Sequence, residues 1–165
     1  MHVDTYDTAV LMMANDAGRW APKTHETADH SMPYVIAIAL LDGEVTGDSF
    51  KESRLADPLV ASLMQKIKVN ASADLSALYP QSAPSRVRVR MESGDVLTGE
   101  VRYPKGHARN PLSDAELNIK FRRIFKEQGR AAQGEAALQA LWAFDKAKDV
   151  GGVLSLLRAG DLVSD

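Results

Sequence analysis

The chain has 165 residues, 45% of them apolar and 25% charged, the balance of a soluble globular protein able to bury a core. With 20 basic and 22 acidic side chains its net charge is −2, which gives no global electrostatic reason to expect nucleic acid or an anionic membrane as partner. There is no cysteine, which excludes disulfides, thiolate metal sites and cysteine nucleophiles.

The opening MHVDTYDTAV has no basic segment followed by an apolar run, so no secretory signal is expected. The most apolar stretch, Val35 to Leu41, is too short to span a bilayer, and a cytoplasmic location is the expectation. His2 to Tyr6 reads as a short strand, and Asp7 to Met13 as a helix. Asn15 to Pro22, with Gly18 and Pro22, reads as a loop. Ser31 is placed to cap the next helix, Pro33 lies in its first turn and Gly43 stops it. The residues between are apolar all round, which predicts a central, buried helix. Thr46 to Ile67 reads as a short and a longer helix broken near Asp57-Pro58, with Leu59, Leu63, Met64 and Ile67 on one face of the second.

Ser85 to Tyr103 is the clearest β pattern. Val87, Val89 and Met91 alternate with Arg86, Arg88 and Arg90, ESGD supplies a turn, and Leu97, Val101 and Tyr103 alternate on the return. A hairpin with one buried and one solvated face follows, its arginines within reach of Glu100 across the strands. Ser113 and Glu116 form a capping box for a helix to about Gln128, with Leu117, Phe121, Ile124 and Phe125 as its inner stripe. A second helix spans roughly Ala131 to Lys148, and GGVLSLLRAG forms a last short one. The fold class is α+β: a small, mainly antiparallel sheet with packed helices, followed by a C-terminal helical tail.

Glycine-rich phosphate loops, paired metal histidines and nucleophile elbows are absent, and none of His2, His25, His30 and His107 has a partner at metal spacing. Two polar clusters remain. Lys23, His25, Glu26, Asp29, His30 and Tyr34 crowd the start of the apolar helix. There an imidazole and a phenol are suited to proton transfer, or alternatively to capping and core packing. Lys105, His107 and Arg109 give three potential cations on a glycine-containing loop, suited to a polyanion or to plain solvation.

At these clusters the chain resembles the MmgE/PrpD family, whose named activity is 2-methylcitrate dehydratase. The resemblance is carried by PKTHETADHSMPYVIAIALLDG from Pro22 to Gly43, RLADPLVASLMQKIKV from Arg54 to Val69, and VRYPKGHARNPLSDAELNIKF from Val101 to Phe121. It implies a two-domain architecture, with a large helical domain absent from this sequence and the substrate site between the domains. Residues 1–128 correspond to the α+β small domain, and residues 129–165 to helices that would dock on the helical one. Tyr34 falls on the tyrosine of the family's His-Ser-x-x-Tyr segment, which contributes to the active site, and His30 lies in the same segment; both are the expected catalytic residues. Lys105 and His107 match the family's P-x-G-H loop and are the expected ligands of substrate carboxylates.

The implied activity is that of part of a metal-free lyase, needing no cofactor, that eliminates water from a tricarboxylate in propionate breakdown and is inactive without the helical domain. The alternatives are a decarboxylase or epimerase of the same family, a non-catalytic remnant, or a tricarboxylate-binding module. The expected partners are the tricarboxylate, a separate helical-domain chain and a second copy in a homodimer, with no nucleic acid or membrane.

Overall fold

A computed structural model describes residues 1–158 of the chain. They form two compact units, Met1–His107 and the segment from Ala108 onward.

The first unit is α+β. Strand β1 (His2–Thr5) is followed by α1 (Asp7–Met13), α2 (Ala17–Trp20), α3 (His25–Asp29) and α4 (Met32–Asp42). A 3₁₀ turn (Gly47–Phe50), α5 (Glu52–Leu55) and α6 (Pro58–Met64) lead to β2 (Lys68–Ala71), α7 (Ala73–Ser76) and the hairpin of β3 (Ser85–Arg90) and β4 (Val96–Val101). The sheet runs β2-β1-β3-β4, with β1 parallel to β2 and the other two pairings antiparallel. Strand β2 escapes the sequence pattern because KVNA offers a single β-branched residue, Val69; its pairing with β1 makes it a strand. Likewise α2 lies inside the stretch read as a loop, capped by the Asp16 side chain.

The core is the apolar sheet face against α4 and α6: Val3, Tyr34, Ala37, Ile38, Val60, Met64 and Ile67. Helix α4 ends as the sequence indicates, with Gly43 at φ +79° in the left-handed region, where glycine carries no Cβ clash. It is not buried all round: Leu40 and Leu41 in its last turn are exposed. In α6 the buried face is Val60 and Met64, continued by Ile67 at spacing i, i+4, i+7, while Leu59 is turned outward.

On the polar sheet face Arg86 donates to Glu100 (2.8 Å) and to Asp74 (3.0 Å). Arg88 instead donates to the buried Asp4 on β1 (2.6 Å). The hairpin forms where the alternation predicts, but its apolar face is only partly covered: Val87 and Val89 are half-buried and Met91 is exposed, and on the edge strand β4 Val96, Leu97 and Val101 are exposed rather than buried.

The second unit contains α8 (Asp114–Glu127), α9 (Ala131–Trp142), a 3₁₀ turn (Phe144–Lys146) and α10 (Val150–Ser155). The Ser113–Glu116 capping box is present. Phe125 packs against Gly134, Ala137 and Leu138 form the rest of the small core, and Arg122 grips Glu135 through both its Nε and Nη2. Leu117 and Ile124, assigned to the inner stripe, are exposed. Helix α9 stops at Trp142, short of Lys148, and Ala159 and Gly160 of the last predicted helix lie outside the described residues. No helix among the described residues is long and apolar enough to cross a membrane.

Candidate active site

The segment from Thr24 to Tyr34 makes two helix starts in eleven residues, and the caps fix its geometry. Thr24 and Thr27 cap α3 reciprocally. Ser31, fully buried, accepts from the Tyr34 amide at 3.2 Å and donates its hydroxyl to the Arg19 carbonyl, tying α4 to α2. His30 sits between the two helices as the C-cap of α3.

Its Nδ1 meets the Asp29 carboxylate and lies 3.1 Å from the Glu26 carbonyl. The hydrogen bond to Asp29, then that to Glu26, raises the His30 pKa above the ordinary histidine value. The ring is exposed, and it borders an open depression of about 430 Å³ together with Asp16, Gly18, Arg19, Glu26 and Thr27.

Tyr34 is in a different environment. Its side chain is buried, and its hydroxyl donates to the Ser49 carbonyl at 2.6 Å. Burial pushes its pKa above the ordinary phenol value. Phe50 lies 6.1 Å away, and the His25 ring stacks on the same Phe50 at 4.8 Å. The structure therefore places His30 and Tyr34 one turn apart in sequence without sharing a hydrogen bond: one ring is in solvent and one in the core.

Lys105 and His107 belong to the loop after β4. Gly106, at φ +93°, permits the tight turn, and the His107 amide donates to the Pro104 carbonyl at 3.0 Å. The His107 ring packs on Tyr103 at 4.9 Å, and the Arg102 guanidinium lies 5.7 Å from the same phenol ring.

Two groups escaped the sequence reading. Arg19 lies in the stretch read as a loop, so nothing announced that it borders the His30 depression. Arg54 ties Asp42 at the end of α4 to Asp57, the N-cap of α6. Both ends of that network lie inside the motifs LLDG and RLADP, which was the only signal available. Among the described residues no three His, Cys, Asp or Glu side chains gather as a metal site would require.

Residues 1–145 match the MmgE/PrpD C-terminal domain. The chain belongs to the MmgE/PrpD family. Its relatives include cis-aconitate decarboxylase of Mus musculus, 31% identical over 101 residues, 61% of this chain and 20% of the relative. The Homo sapiens cis-aconitate decarboxylase is 32% identical over 105 residues, 61% of this chain and 21% of the relative. The mitochondrial 2-methylcitrate dehydratase of Yarrowia lipolytica is 30% identical over 115 residues, 65% of this chain and 21% of the relative. The chain thus spans about a fifth of the length of these family members.

Proposed function

We propose that the chain is the C-terminal part of a metal-free lyase acting on a tricarboxylate, with elimination of water from a 2-methylcitrate-type substrate as the reaction. The carrying observation is the family match over residues 1–145, together with relatives named for 2-methylcitrate dehydration. The similarity to cis-aconitate decarboxylases supports a second reading, loss of carbon dioxide from a related tricarboxylate.

Both reactions build carbanion-like charge beside a carboxylate, which several fixed donors must meet together. The depression at His30 is open to solvent and cannot exclude water by itself. We therefore propose that turnover requires a helical domain, as a separate chain or in a longer polypeptide, with residues 129–165 docking on it. His30 acts as the proton-transfer group. Lys105 and His107 hold substrate carboxylates.

Tyr34 contributes from beneath, holding the Gly47–Phe50 turn through Ser49. A direct contact with substrate requires that turn to give way. A cytoplasmic homodimer in propionate breakdown completes the reading, on the strength of the family resemblance.

The test is turnover of 2-methylcitrate and of cis-aconitate by the purified chain, alone and with the helical domain of a family member. The expected result is turnover of one substrate only when both are present. No turnover of either, with the two chains shown to associate, would overturn the reading in favour of a non-catalytic or tricarboxylate-binding module.

A further inference from the structure

The two atoms that flank His30 Nδ1 are a carboxylate oxygen of Asp29 and the backbone carbonyl oxygen of Glu26. A carbonyl oxygen has no hydrogen to give, and neither has an ionised carboxylate. The hydrogen between them must therefore be on Nδ1. A neutral imidazole carries one N–H, so Nε2 is then the bare nitrogen, and it has no hydrogen-bond partner among the described residues. Which nitrogen of a histidine does chemistry is set by the bond the other makes. Here both of the other's bonds come from α3 itself, one residue and four residues away. The arrangement is built into a single helix end and does not depend on a distant element.

We propose that Asp29 is the positioning residue of this site, holding the proton of His30 on Nδ1, so that Nε2 is the atom that carries a second proton to the reacting substrate. This rests on the lyase reading given above. In dehydration, the C–O bond breaks with its electron pair going to oxygen, and His30 Nε2–H gives that oxygen its proton. Water departs and a neutral ring remains. The proton leaving the neighbouring carbon goes to a base on the helical domain, and its electron pair becomes the new double bond. In decarboxylation, carbon dioxide leaves and the same Nε2–H protonates the carbon left behind. Either reaction needs a proton donor.

The groups around His30 suit a donor better than a base. Asp29 and Glu26 on α3, and Asp16 at the cap of α2, border it as acids; Arg19 on α2 is the one opposing cation among the residues lining the depression. The raised His30 pKa agrees with that balance.

The experiment is nitrogen-detected NMR of the His30 ring in the full chain, across a pH titration, in the wild type and in Asp29→Ala. The expected wild-type neutral ring is the Nδ1–H form, the minor tautomer of a free imidazole. Asp29→Ala should convert it toward Nε2–H and shift the His30 titration downward. A wild-type ring already in the Nε2–H form, or a titration unmoved by Asp29→Ala, would overturn the positioning role and leave the lyase reading standing.

The donor role is read separately in the assay with the helical domain. His30→Gln should lower kcat by about a hundredfold, with Asp29→Ala moving the alkaline limb of the kcat profile to lower pH. Full turnover in His30→Gln would overturn the donor assignment. Absence of turnover in the wild type would count against the lyase reading itself and not against the tautomer.

Discussion

Tyr34 shows how one hydroxyl ties a helix to a turn. Its O–H is donated to the carbonyl of buried Ser49, so Tyr34→Phe removes the donor and leaves that carbonyl without this partner. An unpaired buried group costs about 1–3 kcal/mol, and we expect a loss in that range, read by urea denaturation. Ser31→Ala should cost about 1 kcal/mol or more on the same measurement. It removes the cap of α4 and, in addition, the bond to the Arg19 carbonyl.

His30 makes a pH-dependent contribution whose sign follows from its neighbours. Folding raises its pKa through Asp29, so the protonated ring favours the folded state. The contribution is complete below the ordinary histidine pKa and is lost as pH rises through the elevated folded value. Asp29→Ala should accordingly destabilise the chain more near about pH 5 than near about pH 9, measured by denaturation at both.

At the level of elements, the helix α9 meets α8 through a glycine for a definite reason. A Cβ built on Gly134 would lie 2.5 Å from the Cβ of Phe125. Alanine in place of a helical glycine ordinarily gains about 1 kcal/mol. Here the clash is with the root of a side chain, which cannot swing aside, and overpacking costs about 1–3 kcal/mol. Gly134→Ala should therefore lower the midpoint of helix melting, followed by circular dichroism. The elements that were legible in the sequence share a property: they carry their own terminators. Ser31, Pro33 and Gly43 bracket α4, Ser113 and Glu116 open α8, and the ESGD turn marks the hairpin. The elements that were not legible are made by partners. Strand β2 exists through its pairing with β1, and Leu59 is exposed because Val60, not Leu59, meets the sheet layer. The site was legible in its membership but not in its environment. Residue types put His30 and Tyr34 together, whereas only the fold shows one in solvent and the other donating into the core.

For the molecule as a whole, the edge strand β4 carries exposed Val96, Leu97 and Val101 and has no strand on its outer side among the described residues. Such an edge invites pairing with other chains unless it is covered or charged. Leu97→Lys should leave folding stability within about 0.5 kcal/mol and reduce self-association of the isolated chain, seen by light scattering. The position of β1 has a consequence for biosynthesis. It lies inside the sheet, yet one of its two neighbours is β3, 80 residues later along the chain, where Thr5 meets Ser85. At about 5–20 residues per second a ribosome takes on the order of 4–16 s to make that span. For that interval the nascent first strand has nothing to complete it. The sheet must close after the hairpin emerges, as a late and long-range step. Slowing translation ahead of the hairpin would lengthen that wait, and with it the opportunity for chaperone engagement.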